Sequence, residues 1–230
     1  MKEKEIQLKQ RILDYAEQIG LSDENIEPIV DGTCDIDTYF QEDTRIMWVL
    51  KEPYDDFLED GTPYGGGWDI CDILKSDDAW KISSRKPIIY VSYAFFNNIY
   101  CWEDMDYIED CPQMAEVLQR IAYINMSKMP AKTISPQNMS AEYEKWRPIL
   151  LEQIKLYDPH IIIFGNTFKY FEKDLLNGNY KKDTSNDDLY VYECNGKLFL
   201  DAYHPQQRTI TKSKYVDDIL KAMRKFIKKV

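Results

Sequence analysis

Apolar residues in the first twenty positions fall at Ile6, Leu8, Ile12, Leu13, Tyr15, Ala16 and Ile19, close to helical spacing, and Gly20 supplies a stop. The pattern then changes. "RIMWVL", Arg45 to Leu50, is a short continuous apolar run that predicts a buried strand, ended by Lys51 and Pro53. "RKPIIYVSYAFFNNIYCW" is too densely apolar for either period to show, and its length favours a buried helix. A helix is expected to start near Pro112 and run through "MAEVLQRIA", followed by a short strand in "AYINMSK". "SAEYEKWRPILLEQIKLYD" predicts a helix capped by Ser140, with Pro148 as a kink or a first-turn residue. "PHIIIFGN" is the clearest buried strand, His160 stands at its entry, and "TFKYFEKDLL" continues as a helix. "NGNYKKDTSNDD" predicts a polar loop. Two strands around Asn195-Gly196 predict a hairpin, and "KYVDDILKAMRKFIKK" sets Tyr215, Ile219, Met223, Phe226 and Ile227 on one helical face.

Strands that alternate with helices imply an α/β fold whose largely parallel sheet is covered on both faces. One domain over residues 1–230 is expected, with 1–30 as an N-terminal helical cap. Ligands of such sheets bind beyond the carboxyl ends of the strands. Glu52-Pro53-Tyr54, Asn125 and His204-Pro205 each follow an apolar strand candidate, so they are placed to meet on one rim. Between the first strand and the next helix lies "DDFLEDGTPYGGGWDICD", turn-rich and acidic. Its glycines, Gly65 to Gly67, suit either a surface loop or a loop that lines a pocket.

Composition narrows the class. Of 230 residues, 44% are hydrophobic and 17 are tyrosines, which is the composition of a folded globular chain. No apolar run is long enough to span a membrane and the first residues lack an apolar signal core, so a cytoplasmic protein with no membrane partner is expected. Five cysteines at irregular spacings, without a CxxC pair, point to reduced and mostly buried thiols rather than a disulfide or zinc site. The net charge of -11 opposes generic nucleic-acid affinity. It is unevenly spread: residues 31–111 carry 19 acidic and 6 basic side chains, residues 204–230 carry 2 and 8. A polyanion is expected to meet the C-terminal end, away from Asp55, Asp56, Glu59 and Asp60.

From about Ile46 to about Lys214 the chain resembles the uracil-DNA glycosylase superfamily. "KEPYDD" looks like the water-activating motif that reads Gly-Gln-Asp-Pro-Tyr-His in the best-known branch. "RIAYINMSKMPAK" looks like the strand that delivers a base-reading asparagine, "EYEKWRPILLEQIKLYDPHIIIFGN" is similar to the next helix and strand of the iron-sulfur branch, and "LDAYHPQQR" looks like the closing His-Pro motif. The resemblance implies a three-layer α/β/α sandwich with a short, mainly parallel central sheet. It implies a monofunctional DNA glycosylase that hydrolyses the N-glycosidic bond of uracil or a modified pyrimidine, with no cofactor and no metal. Its partner is DNA, single- or double-stranded, or a nucleobase or nucleotide.

By that resemblance Glu52 orients water for attack at the sugar C1′, a task suited to a carboxylate that accepts a proton and stabilises positive charge. On the residues alone it reads first as a surface carboxylate ending a strand, and the order of the motifs reverses that preference. Tyr54 would crowd C5 of the base, and is otherwise an ordinary turn tyrosine. Asn125 carries a donor and an acceptor side by side, fit to read a pyrimidine edge or to cap a turn. His204 would donate a hydrogen bond to the base oxygen that becomes anionic. Trp68 is a candidate for stacking on the base, as is Tyr64, with core packing the plain alternative. Arg208 falls at the wedge position, and Lys212 and Lys214 are candidate phosphate contacts, or a solvated basic helix start. The chain departs from the pattern at Leu50-Lys51, Asp55 and Gln206-Gln207. Trp146 and Ser127-Lys128 stand where the iron-sulfur branch has cluster cysteines, so no cluster is expected. Two other functions fit these departures: an inactive module that binds a nucleobase, a nucleotide or a protein, and a hydrolase of free nucleosides or nucleotides.

Overall fold

The structure, a computed structural model, describes residues 1–55, 59, 64–131 and 138–229. Asp56 and Asp60 of the acidic segment lie outside the described residues. The helices are α1 (Lys2–Gln18), α2 (Ile36–Gln41), α3 (Ile70–Leu74), α4 (Arg85–Phe96), α5 (Met139–Tyr157), α6 (Phe168–Leu175) and α7 (Lys212–Ile227). The strands are β1 (Gly32–Thr33), β2 (Ile46–Leu50), β3 (Ala122–Asn125), β4 (Ile161–Gly165), β5 (Lys181–Asp183), β6 (Leu189–Cys194) and β7 (Lys197–Ala202). The class is mixed α/β.

Among the described residues the strands form one sheet in the order β1-β3-β2-β4-β7-β6-β5. The central four, β3, β2, β4 and β7, run parallel. Both margins are antiparallel: β1 against β3, and the β7, β6, β5 meander. The expected mainly parallel sheet is therefore a parallel centre with antiparallel borders. The Asn195-Gly196 turn makes the β6–β7 hairpin, with φ of 51° and 73°, the left-handed pair that matches strand twist.

Every residue of β2 and β4 is buried, because both sheet faces are covered. Alternation sorts the β2 side chains: Ile46, Trp48 and Leu50 join one cluster with residues of α4 and α7, while Met47 and Val49 join another with residues of α1, α5 and α6. Each large side chain buried this way contributes roughly 1.5–3 kcal/mol. The chain leaves β2 along the α4 face and leaves β4 along the α6 face. Neighbouring strands with opposite exits open a crevice at their carboxyl ends.

Several expectations change. The helix of "KPIIYVSYAFF" forms as α4, whereas the segment after Pro112 winds as a 3-10 helix, Pro112–Arg120. The α5 cap is Asn138, whose side chain accepts the Ala141 N–H at 3.0 Å, and Pro148 lies inside the helix. The polar loop "NGNYKKDTSNDD" contains β5, a strand with no apolar pattern that is held by edge pairing to β6. Cysteine chemistry is also corrected. Cys34 and Cys71 are joined in a disulfide across 37 residues, and of the free thiols only Cys194 is buried. Sequence spacing could not reveal that bond, because pairing of the backbone near Val30 with Trp68 and Ile70 is what brings the two cysteines together.

Candidate functional site

The strands β2 and β3 end level with each other, Leu50 opposite Asn125. Their pairing continues one step further, with the Met126 N–H on the Leu50 carbonyl and the Ser127 N–H on the Lys51 carbonyl. Glu52 and Tyr54 leave β2 at this edge, and Asn125 closes β3. His204 follows β7. It reaches the same rim because β4 ends in Gly165: a Cβ there would sit 2.6 Å from Leu50 Cδ2 and 3.0 Å from Pro205 Cδ.

A cavity of about 780 Å³ opens there, lined by Glu52, Tyr54, Trp68, Asn125, His204 and Arg208 among others. Thus six of the nine residues nominated from sequence share one cavity. Tyr64, which is exposed, and Lys212 and Lys214 do not line it. Lys212 Nζ stands 5.8 Å from the Tyr90 ring and lines a neighbouring recess with Arg208. Lys214 is neutralised by Asp188 at 3.0 Å and Asp218 at 2.5 Å.

Glu52 is buried, 9% exposed, at the base of the turn that leaves β2. Tyr54 is about half exposed and bridges to Ala131; partial burial, with Glu52 nearby, raises its phenol pKa. Burial lowers the pKa of His204 to about 4, with Lys51 adding to the effect, so the ring is neutral at pH 7. Its Nδ1 accepts the Gln206 N–H at 3.2 Å, which puts the proton of the neutral ring on Nε2. Gln206 also reaches Ser83 Oγ at 2.8 Å, tying the His204 turn to the approach of α4.

The triple glycine has a defined task. Gly65, Gly66 and Gly67 all have positive φ, and a Cβ on Gly66 would lie 1.8 Å from the Glu27 carbonyl oxygen. Only glycine allows this segment to run beside residues 25–30. Asp55 then accepts both the Gly66 N–H and the Trp68 indole N–H at 2.7 Å, so the aromatic wall is oriented by a carboxylate.

Asn125 is held from behind. Its N–H donates to Asp31 Oδ2 at 2.7 Å, and its carbonyl accepts from Lys128 Nζ at 2.7 Å. Lys128 also donates to both Asp31 oxygens, at 2.7 and 2.9 Å, and Gln153 donates to Asp31 Oδ1 at 2.8 Å. Asp31, Lys128 and Gln153 are each 0% exposed. Burial pulls the Lys128 pKa down and Asp31 opposes it. The side-chain Nδ2 of Asn125, by contrast, is buried without a hydrogen-bond partner among the described residues.

Neither models of known protein families nor curated proteins match the chain. The cavity's own residues therefore carry the functional argument. Sequence reasoning missed two of them, Arg85 and Tyr123. Arg85, in the first turn of α4, is 7% exposed, and its Nη1 has no partner among the described residues. Burial lowers its pKa while Tyr123 raises it, and burial lifts the Tyr123 phenol to about 12. A basic pair just ahead of an apolar run reads as a solvated helix start, so no local signal marked Arg85. Among the described residues, no group of three or more His, Cys, Asp or Glu side chains could hold a metal ion, and no helix is long and apolar enough to cross a membrane.

Proposed function

We propose that the cavity is the pocket of a DNA glycosylase-like hydrolase acting on uracil or a modified pyrimidine. The observation that carries this is the meeting of Glu52, Asn125 and His204 in one cavity at the carboxyl edge of a parallel sheet. Helices from both faces of that sheet fit the three-layer α/β/α sandwich of the uracil-DNA glycosylase superfamily. A volume of about 780 Å³ accepts an extruded nucleotide and not merely a water.

In this reading Glu52 holds water against C1′ and stabilises the positive charge that develops on the sugar as the glycosidic bond lengthens. Asn125 supplies a desolvated amide to the base edge, and the network behind it fixes its position. His204, neutral with its proton on Nε2, donates to the base oxygen as negative charge arrives. Trp68, oriented by Asp55, offers a face to the base, and Tyr54 narrows the mouth. Arg208, exposed at the rim, is placed to meet the strand.

The test is incubation with uracil-containing single- and double-stranded oligonucleotides, followed by alkaline cleavage of abasic sites. Wild type is expected to cut. Glu52→Gln and His204→Ala are each expected to slow the reaction by about 100-fold or more. No cutting by wild type, or undiminished cutting by the Glu52→Gln/His204→Ala double variant, overturns the assignment.

A further inference from the structure

Arg85 belongs to the cavity but to none of the steps above. The residue is 7% exposed, and it lines the cavity from the first turn of α4. Among the described residues no ion pair engages it, its Nη1 has no acceptor, and no acidic residue occupies that first turn. Leaving a charge in this condition costs several kcal/mol unless something answers it. The same cavity is lined by Asn125, whose Nδ2 also has no partner among the described residues, and by Tyr123, which acts electrostatically on Arg85. Tyr123 and Asn125 alternate with Ala122 and Ile124 along β3, so both face the α4 side of the sheet. Arg85, Asn125 and Tyr123 bring donors to a cavity that the carboxylates of Glu52, Asp55 and Asp72 also line.

The geometry points to an oxyanion subsite inside the cavity, formed by Arg85 with Asn125 and Tyr123, that takes a carboxylate or phosphate group carried by the pyrimidine ligand. Guanidinium matches either group through paired N–H donors. A neutral pyrimidine offers single carbonyl oxygens and leaves the charge uncompensated. The cavity therefore selects an anionic pyrimidine over its neutral parent. This rests on the reading of the cavity as a pyrimidine pocket, but it concerns binding rather than bond cleavage.

Calorimetric titration of the full chain with four probes tests it: uracil, orotate (uracil-6-carboxylate), deoxyuridine and deoxyuridine monophosphate. Hydrogen bonds to a charged partner are worth about tenfold or more in affinity. Orotate at least tenfold tighter than uracil identifies a ring carboxylate, and the monophosphate at least tenfold tighter than deoxyuridine identifies a phosphate. Either preference is expected to vanish in Arg85→Met, while that variant keeps or raises its melting temperature because an uncompensated buried charge is gone. No preference in wild type, or a preference that survives Arg85→Met, overturns the subsite. Abasic-site formation is scored separately: anion preference without strand cutting keeps the subsite and removes the glycosylase, and cutting without anion preference does the reverse.

Discussion

Two buried cations, Lys128 on the Asn125 carbonyl and Arg85 in the cavity that Asn125 also lines, are treated in opposite ways. Behind the asparagine, Lys128 spends all three of its donors: two on Asp31 and one on the Asn125 carbonyl. In front, Arg85 lines a cavity with Nη1 unpartnered, and no ion pair engages it among the described residues. The first cation is closed off by its partners, although Gln153 Oε1 beside it has none among the described residues, and the second is open. A closed buried network fixes geometry, because every member loses by moving; an open one keeps its interaction energy for something that arrives later. Asn125 belongs to both. Its backbone is clamped by the closed side and its amide is offered to the open side.

The largest effect should come from opening the closed side. Lys128→Met leaves Asp31 charged and unmatched at 0% exposure, and removal of one partner of such a pair costs about 3–5 kcal/mol. Urea unfolding is the measurement. A loss below about 1 kcal/mol would mean that the pair contributes little. Arg85→Met, at similar depth, is expected to be neutral or stabilising, so the two variants should move in opposite directions. The cavity's other wall supplies the next effect. Cys71 lies in the first turn of α3, whose Ile70, Asp72 and Ile73 line the cavity, and its bond to Cys34 closes a loop of 37 residues. Reduction, or Cys34→Ser with Cys71→Ser, should cost about 2–4 kcal/mol by raising the entropy of the unfolded chain. Thermal melts with and without reductant read it, and the double serine variant should be indifferent to reductant.

The closed and open sides also differ in how far sequence reveals them. The apolar run of β4, the Asn-Gly hairpin and the face of α7 are local patterns, and the chain obeys them except at Ile227, which is exposed where the last turn of α7 ends. The rim was legible too, because Glu52, Asn125 and His204 each follow a strand that local pattern predicts. What local pattern cannot carry is partnership at a distance. Lys128 sits 97 residues from Asp31 and reads as a surface lysine until β3 and the segment before β1 meet. Arg85 reads as the solvated start of a helix until α4 docks and removes its water. In β5 the Lys-Lys-Asp sequence has no pattern at all; neighbouring β6 makes it a strand. Asp35 was readable in principle: it caps α2 by accepting the Asp37 and Thr38 N–H groups, a familiar local signal in a segment otherwise short of apolar spacing.

A third prediction sharpens the contrast through pH. His204, on the open side, has its pKa lowered to about 4, against about 6.5 in the unfolded chain. Between those values the unfolded chain binds a proton that the folded chain refuses. The ring's contribution to stability is therefore whole above pH 6.5 and falls as pH drops toward 4, by about 1.4 kcal/mol per pH unit and about 3 kcal/mol in all. Asp201 works in the other sense, since burial raises its pKa to about 6, but it is common to wild type and His204→Gln and cancels in their difference. Urea stability of both proteins from pH 7.5 to 4 should show wild type losing ground to the variant. Parallel curves would show that the ring is solvated.

The smallest effect concerns the aromatic wall. Asp55 accepts the Trp68 indole N–H at 2.7 Å, a hydrogen bond to a charged acceptor in a half-buried setting. Trp68→Phe keeps most of the apolar area and deletes that bond, at a cost of about 1–2 kcal/mol. The change should weaken ligand binding more than this stability loss suggests, because the ring is then free to turn away from the base. Asp55→Asn separates the two effects. It keeps an acceptor for the indole but loses the charge, so stability should fall by less than in Trp68→Phe while the ring stays in place. Titration with a pyrimidine ligand decides: near-normal affinity in Asp55→Asn and a several-fold loss in Trp68→Phe mean that the carboxylate's task is orientation. Equal losses in both would mean that Asp55 acts on the ligand directly, and that the open side holds a reader beyond Asn125 and Arg85.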